Sequence, residues 1–238
     1  MQSESPPPLS PGLALFLDFD GTLAPLQDNP ETVAISDPQK ARLDALKELM
    51  SGAVAVISGR DVRDLSKRIP VTLWRAGNHG LYIFEPGELP PETLNPAPET
   101  LVEKIQQIIA EFQGTTLEIK GRVLAVHYRS APHAEAALAS ELETILADYP
   151  DYKLQGGKFV LEAKPKGAHK GAAVEMLMKK PPFAGRTPVF VGDDRTDEDA
   201  IEVVVAMGGW AVKVGDGNTC AQYRLAAPDA VWSWLGEG

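Results

Sequence analysis

The chain has 238 residues, of which 44% are hydrophobic and 24% charged, as is typical of a soluble globular protein with a buried core. Its formal net charge of −10 argues against nucleic acid or an anionic membrane as a partner. The single cysteine, Cys220, cannot form an internal disulfide, and the N-terminal segment lacks the basic region of a signal peptide, so we expect a cytoplasmic protein. Residues 1 to about 11 are expected to form a loose, proline-rich tail.

The most informative stretch is the apolar run Leu13 to Leu17, which is followed at once by Asp18-Phe19-Asp20-Gly21-Thr22. The run predicts a parallel strand that is covered on both faces. The two aspartates would then lie at the strand's carboxyl end, where open α/β sheets bind ligands. Gly21 allows a close turn and Thr22 offers a hydroxyl. An ordinary turn is the alternative, whereas a calcium loop is disfavoured because Asn29 occupies the position of its glutamate.

A second strand and its polar end follow. A helix is predicted from Asp37 to near Gly52, and the apolar run at 53–57 predicts a buried strand. This strand leads into Ser58-Gly59-Arg60, whose hydroxyl, glycine and guanidinium are suited to holding a phosphate. A capped strand-to-helix turn with an arginine in solvent is an equally good interpretation of that stretch alone.

The pattern changes after Gly77-Asn78-His79-Gly80, which predicts a tight turn, and a proline-rich stretch at 86–98 predicts a boundary loop. Helices and antiparallel hairpins follow, with helices at 100–112 and 133–147 and strands at 116–120, 122–128, 152–155 and 159–162. We therefore predict an inserted α+β domain at 81–162 and a parallel-sheet core at 1–80 and 163–238. A cleft between two lobes is expected to bind the ligand.

The alternation of strand and helix then resumes. Lys170 lies near the start of an apolar-striped helix, where the helix dipole disfavours a cation, so it suggests an anion to neutralise; a surface lysine is the alternative. A strand at 188–191 ends in Gly192-Asp193-Asp194-Arg195-Thr196-Asp197, an acidic cluster that can share a hard cation with the first strand's aspartates. A helix cap would explain part of this acidity. A strand at 210–214 and a helix at 229–235 complete the predicted elements.

The order of these motifs resembles that of the haloacid dehalogenase-like phosphatases. The four motifs are Asp18-Phe19-Asp20-Gly21-Thr22, Ser58-Gly59-Arg60, Lys170-Gly171 and Gly192-Asp193-Asp194-x-Thr196-Asp197. Within that superfamily the chain resembles the trehalose-6-phosphate phosphatase family. The residues that carry this narrower resemblance are Gly77-Asn78-His79-Gly80, Leu117-Glu118-x-Lys120-Gly121, His127-Tyr128-Arg129 and Glu162-x-Lys164-Pro165. Together the motifs span essentially the whole chain.

The resemblance implies a Rossmann-like parallel-sheet core with an inserted cap, and it implies catalytic roles. Asp18 would attack phosphorus to form an aspartyl-phosphate, and Asp20 would act as general acid and then general base. Thr22, Ser58 and Lys170 would support the phosphate oxygens. The metal residues implied for Mg²⁺ are Asp18, Asp20 through its carbonyl, Asp193 and, more weakly, Asp194 or Asp197.

The resemblance also implies how the sugar is recognised, because carboxylates and amines discriminate between sugars through their hydroxyl groups. The implied substrate-binding residues are Arg60, Gly77, Asn78, His79, Glu118, Lys120, Arg129, Glu162 and Lys164. Two alternatives remain open: Arg60 could instead brace its loop, and Glu118 and Lys120, which alternate on one strand face, could be a surface ion pair.

We therefore expect a Mg²⁺-dependent phosphatase that releases trehalose from trehalose 6-phosphate, a small-molecule sugar phosphate. The alternatives are a capped phosphatase for sucrose, mannosyl or hexose phosphates, a phosphomutase and a non-catalytic sugar-phosphate sensor. Asp18 and Asp20 argue against the sensor, because a binding module does not need a nucleophile paired with an acid. A monomer is expected, and the resemblance suggests functional coupling to a trehalose-6-phosphate synthase.

Overall fold

The computed structural model describes residues 5–236, which form two compact units. The first unit extends to Pro90 and resumes at His169, and the second unit is the insertion Pro91–Ala168. These bounds differ from the domain boundaries that were predicted from the sequence, which placed the insertion at 81–162. The strand Tyr82–Phe84 belongs to the first unit's sheet, and the strand Val160–Pro165 of the second unit continues past residue 162.

A seven-stranded sheet forms the first unit. Its strands, numbered in chain order, are β1 (Leu13–Leu17), β2 (Val54–Ile57), β3 (Trp74–Gly77), β4 (Tyr82–Phe84), β9 (Thr187–Gly192), β10 (Trp210–Val214) and β11 (Tyr223–Leu225). The sheet order is β11-β10-β9-β1-β2-β3-β4, and every pairing is parallel except that of β3 with β4. Because β1 lies between β2 and β9, the three strands end at one edge of the sheet.

The central strands are buried because parallel sheets are covered on both faces. All five residues of β1 and all four of β2 are buried, in agreement with their uninterrupted apolar runs. The helices of this unit are α1 (Asp37–Leu49), α2 (Val62–Arg68), α5 (Lys170–Leu177), α6 (Glu198–Ala206) and α7 (Pro228–Leu235). The predicted α/β class with a parallel sheet is confirmed.

The second unit has its own four-stranded antiparallel sheet and its own apolar core. Its elements are α3 (Glu99–Glu111), β5 (Thr116–Lys120), β6 (Val123–His127), α4 (Glu135–Leu146), β7 (Tyr152–Gly157) and β8 (Val160–Pro165). The sheet order is β5-β6-β8-β7. Leu124 and Val126 of β6 pack with Leu138 and Leu142 of α4, so one face of the sheet is apolar and the other is left to polar side chains. The predicted α+β insertion is confirmed in class.

Three strands were not predicted, namely β3, β4 and β11. The expected loose tail also differs from the structure over its described part. Leu9 is buried in the first unit's core, and the Trp234 indole nitrogen donates a hydrogen bond to the Pro7 carbonyl (2.9 Å). Residues 1–4 lie outside the described residues. Within residues 5–236, none of the helices combines the length and hydropathy needed to cross a membrane.

Candidate active site

The loop that follows β1 is tied to the sheet and folded tightly upon itself. The Asp18 amide donates to the Val191 carbonyl (2.9 Å), which fixes the loop to β9. Gly21 has a φ of +82°, which is a left-handed conformation that favours glycine. A Cβ at this position would lie 2.0 Å from Oδ2 of Asp193. Glycine is therefore required here for its conformation and for the close approach of the Asp193 carboxylate.

Lys170 lies between two buried carboxylates. It is the first residue of α5, and its Nζ donates to Oδ1 of Asp18 and to Oδ1 of Asp197, both at 2.5 Å. All three side chains are buried. The cation at this helix N-terminus is thus matched by carboxylates from the loops after β1 and β9. The alternative of a surface lysine is wrong.

Asp197 holds both the lysine and the neighbouring loop. Its second oxygen, Oδ2, accepts hydrogen bonds from the backbone amides of Asp193 (3.0 Å) and Asp194 (2.9 Å). Gly192 leaves room for this side chain, because a Cβ there would lie 2.4 Å from the Asp197 carboxyl carbon. Asp197 therefore connects the loop after β9 to Lys170.

The cluster carries more negative charge than positive charge. Burial and the nearby Asp197 raise the pKa of Asp18 well above its usual value, although Lys170 opposes the change. Burial and Asp197 likewise raise the pKa of Asp193 to about 7. Burial acts to lower the pKa of Lys170, but Asp18 and Asp197 outweigh it and the pKa is raised. The Lys170 ammonium therefore stays charged, but its single positive charge does not neutralise all of the surrounding carboxylates.

These carboxylates fit a divalent cation. One oxygen each of Asp18, Asp193 and Asp197 lies within 4.8 Å of the others. Among the described residues, the buried Oδ1 of Asp193 has no hydrogen-bond partner, which fits an oxygen that serves as a metal ligand. Carboxylate oxygens are the ligands that Mg²⁺ prefers. Asp194 lies elsewhere: it is exposed, and its Oδ1 accepts from the Arg195 amide (2.7 Å).

Asp20 and Arg60 form a bidentate ion pair. The Arg60 Nε donates to Oδ2 of Asp20 (2.7 Å) and its Nη2 donates to Oδ1 (2.6 Å). The guanidinium also lies over the Phe19 ring, 5.5 Å from its centroid. Burial acts to lower the pKa of Arg60, but its bonds to Asp20 prevail and raise it. The structure thus favours the brace interpretation of Arg60 over a solvent arginine.

The predicted hydroxyl groups have different surroundings. Both Ser58 and Thr22 are buried. The Ser58 hydroxyl accepts a bond from the Arg60 amide (3.1 Å), so its own proton remains available to an acceptor. The Thr22 hydroxyl has no hydrogen-bond partner within residues 5–236.

Gly77, Asn78 and His79 enclose the loop after β2. The Asn78 side-chain oxygen accepts from the Val62 amide at the start of α2 (2.9 Å). His79 has a φ of +58°, and a Cβ on Gly59 would lie 2.7 Å from its ring. Gly77 has no space for a Cβ because Val62 is too close. These residues support the phosphate-binding loop predicted at Ser58-Gly59-Arg60; their predicted contact with substrate stays a prediction.

The remaining predicted site residues lie in the second unit. The buried Lys120 and Glu162 form an ion pair (2.7 Å), and Glu118 bonds the His127 ring (2.9 Å). In the strand register, Glu118 on β5 and Glu162 on β8 both lie opposite Ala125 on β6, so their side chains share the polar face of the sheet. The bond from His127 lowers the pKa of Glu118. The two further residues are Lys164, which is almost fully buried, and Arg129, whose guanidinium lies 5.1 Å from the Phe159 ring centroid.

Lys213, which was not predicted from the sequence, is buried beside the acidic cluster. Its Nζ donates to the Asp193 carbonyl (2.5 Å), and it lies 3.9 Å from Oε1 of Glu198. The signal was present, since Lys213 is the only charged residue within the strand Trp210-Ala211-Val212-Lys213-Val214.

Comparisons with known proteins show which family this chain is similar to. The family model described as trehalose-phosphatase matches residues 16–228. The chain is 41% identical over 235 residues to trehalose-6-phosphate phosphatase of Escherichia coli strain K12, covering 96% of this chain and 87% of that protein. It is 36% identical over 221 residues to a probable trehalose-phosphate phosphatase of Sinorhizobium fredii, covering 91% and 83%. The solved C-terminal domain of the C. albicans trehalose-6-phosphate phosphatase shares the fold, with a TM-score of 0.78, 24% identity and coverage of 95% and 91%.

Proposed function

The chain belongs to the trehalose-phosphatase family of phosphomonoester hydrolases, and from that premise we propose that it hydrolyses trehalose 6-phosphate to trehalose and phosphate. The observation that carries the proposal is the buried Asp18–Lys170–Asp197 cluster with Asp193 beside it. Those residues come from three separate sequence motifs. A purely structural ion pair would not need a third and uncompensated carboxylate.

In the first half-reaction, the Asp18 carboxylate attacks phosphorus while the bond from phosphorus to the sugar oxygen breaks. The departing sugar oxygen takes a proton from Asp20 and leaves as a hydroxyl. Lys170 and Ser58 donate hydrogen bonds to phosphate oxygens as their charge is redistributed. Asp18 becomes an aspartyl-phosphate and Asp20 becomes a carboxylate.

In the second half-reaction, water attacks phosphorus and Asp20 takes the water proton. The bond between phosphorus and the Asp18 oxygen breaks, which releases phosphate and restores the Asp18 carboxylate. Both oxygens of Asp20 accept hydrogen bonds from Arg60 in the structure, which supports the carboxylate form that receives the water proton in this step. The step leaves Asp20 protonated for the next first half-reaction, and its unprotonated oxygen can then still accept a bond from Arg60.

The side chains of Asp18 and Asp193, together with the Asp20 carbonyl, are the groups that we propose to hold Mg²⁺. A bound Mg²⁺ supplies charge screening between the carboxylate and the phosphate, which otherwise repel by about 4 kcal/mol for two unit charges 4 Å apart at an effective dielectric near 20. Asp197 is already engaged by Lys170 and two backbone amides, so we propose that it positions the site and is not itself a ligand.

We further propose that the second unit recognises the sugar through the polar face of its sheet. Glu118, Lys120 and Glu162 share that face, where charged groups can bind sugar hydroxyls. Lys164 and Arg129 are weaker candidates for the same role. The cytoplasmic location, the monomeric state and the coupling to a synthase stay predictions.

Phosphate release from a panel of sugar phosphates tests the proposal, with Mg²⁺ and with EDTA, and with Asp18→Asn as the control for contaminating phosphatase. A preference for trehalose 6-phosphate that EDTA abolishes is the expected result. Broad Mg²⁺-dependent activity would retain the aspartate mechanism and remove the sugar assignment. No release from any substrate would favour a sensor, and transfer of phosphate to a second sugar would favour a mutase.

A further inference from the structure

We propose that Asp64 and Arg68 are positioning residues that orient the Asp20 carboxylate by acting through Arg60. Neither residue belongs to the sequence motifs that carry the family resemblance. Within residues 5–236, neither forms a hydrogen bond with Asp20. The inference rests on the proposed function, because it assigns these residues a part in proton transfer by Asp20.

Arg60 lies at the centre of the arrangement. It holds both oxygens of Asp20, and its Nη1 donates to Oδ2 of Asp64 (2.9 Å). Its Nη2 also donates to the Pro30 carbonyl (2.9 Å). The guanidinium is thus fixed from three sides, and only one of those sides is the catalytic loop.

Asp64 joins two arginines, namely Arg68, which lies one turn further along α2, and Arg60, which lies in the loop before α2. Its Oδ2 accepts from Arg60 and from Arg68 Nε (2.8 Å), and its Oδ1 accepts from Arg68 Nη2 (2.8 Å). The spacing of four residues between Asp64 and Arg68 is one at which side chains on a helix meet. Burial acts to raise the pKa of Asp64, but its bonds to Arg68 and Arg60 prevail and lower it.

Arg68 anchors the outer end of the chain of charges. Its Nη1 donates to the Val33 and Glu31 carbonyls, in the segment that precedes α1. The charges therefore alternate from Asp20 through Arg60 and Asp64 to Arg68, and both ends are attached to backbone elements. Such a bidentate network is the exception to the rule that surface ion pairs contribute little, because its geometry is fixed and its arginine side chains are only 11% and 13% exposed.

The physical consequence concerns orientation. An arginine side chain has several rotatable bonds, so a single bond to Asp20 would not fix its position. Asp64 and Pro30 restrict Arg60 to one position, and Arg68 restricts Asp64. The direction of the Asp20 carboxylate then follows from the bidentate geometry. Proton transfer depends steeply on such alignment, whereas nucleophilic attack by Asp18 does not use this network.

The test compares Asp64→Asn with wild type on two substrates, trehalose 6-phosphate and p-nitrophenyl phosphate, at saturating Mg²⁺. The alkoxide of a sugar needs a proton in order to leave, whereas p-nitrophenolate does not. Because kcat/KM reports only the steps through departure of the leaving group, it excludes the later hydrolysis of the aspartyl-phosphate. We expect kcat/KM to fall about 10- to 100-fold for trehalose 6-phosphate and less than about threefold for p-nitrophenyl phosphate.

Further variants separate positioning from folding. Arg68→Gln should give the same selective loss to a smaller degree, and Asp64→Glu should restore part of the activity. Arg63→Gln is the matched control, because Arg63 lies on the same helix but pairs with Asp61 (2.7 Å); both substrates should react as in wild type. In an Arg60→Gln background, Asp64→Asn should cause no further loss, because coupled residues are not additive.

Equal losses on both substrates, unchanged kinetics for Asp64→Asn, or full additivity with Arg60→Gln would each overturn the inference. These results differ from a failure of the proposed function. If wild type hydrolysed another sugar phosphate instead, the substrate assignment would fall, and the same comparison made with that sugar phosphate would still decide the role of Asp64.

Discussion

The two units bury the same kinds of charged residue in different ways. In the first unit, Lys170, Asp18 and Asp197 lie in loops and at a helix start beside the edge of a parallel sheet, and their backbones are fixed by close contacts such as that at Gly21. In the second unit, Lys120 and Glu162 belong to strands and share the polar face of an antiparallel sheet. The first arrangement permits one geometry, which suits chemistry. The second allows side chains to be exchanged without disturbing the backbone, which suits recognition of a substrate.

The strongest test of this contrast is Asp18→Asn, for which we expect phosphate release to fall about 10⁴-fold or more for every substrate. The amide cannot act as the nucleophile, yet its oxygen can still accept the Lys170 bond, so the fold should persist. Release is measured with trehalose 6-phosphate and p-nitrophenyl phosphate, with circular dichroism as the check on folding. Turnover within tenfold of wild type would exclude Asp18 as the nucleophile.

Substitution of the two buried lysines, Lys170 and Lys120, tests this contrast through the free energy of unfolding. Lys170→Met leaves two buried carboxylates without their cation and should lower the free energy of unfolding by about 3–5 kcal/mol. Lys120→Met leaves one carboxylate at a sheet face and should cost about 1–3 kcal/mol. All four tryptophans belong to the first unit, so their fluorescence during urea unfolding reports the stability of that unit and measures the effect of Lys170→Met. Circular dichroism reports both units and measures the effect of Lys120→Met.

Lys104→Met is the control for these lysine variants, because it removes an exposed pair with Asp148 and should change stability much less than either of them. An equal cost for Lys170→Met and Lys120→Met would contradict the view that the first cluster is the more constrained.

Glu118→Ala should separate recognition from chemistry. If Glu118 binds sugar hydroxyls, kcat/KM should fall about 10- to 100-fold for trehalose 6-phosphate and little for p-nitrophenyl phosphate, which has no sugar. Glu143→Ala is the control, since it removes an exposed carboxylate of α4 in the same unit. Equal losses on both substrates would make Glu118 a structural residue.

Sequence patterns predicted the elements whose burial is uniform. The apolar runs of β1, β2 and β9 predicted the centre of the sheet, and the residues after each run identified Asp18, Ser58 and Asp193. The strand β3 was missed because it contains Arg75, a fully buried arginine whose donors bind the carbonyls of Leu73, Glu85 and Glu88. Local patterns cannot show that distant carbonyls will satisfy a buried guanidinium.

The same limit applied within the site. Asp194 and Asp197 have the same side chain and lie three residues apart, yet only Asp197 is buried in the cluster. The difference arises because Asp194 caps the turn Arg195–Asp197, while Asp197 turns back to the amides of Asp193 and Asp194. Which carboxylate points inward depends on that turn and not on residue type.

The effect of pH on stability should have opposite signs in the two units. Burial and Asp197 raise the pKa of Asp193 from 3.8 to about 7. Between these values the folded state binds more protons than the unfolded state, so without metal the free energy of unfolding should fall as pH rises, by at most about 1.4 kcal/mol per pH unit for this group. The pKa of Glu118 is instead lowered by His127, so the contribution of Glu118 to stability is present above its unfolded pKa and is lost as pH falls.

Urea unfolding in EDTA, followed by tryptophan fluorescence, isolates the pH trend of the first unit. Asp193→Asn should flatten this trend, leaving the part due to Asp18, and saturating Mg²⁺ should flatten it in wild type. A slope that Asp193→Asn leaves unchanged would mean that the Asp193 carboxylate is not the group that gains the proton, and Asp18, whose pKa is also raised, would then be the group that takes it up.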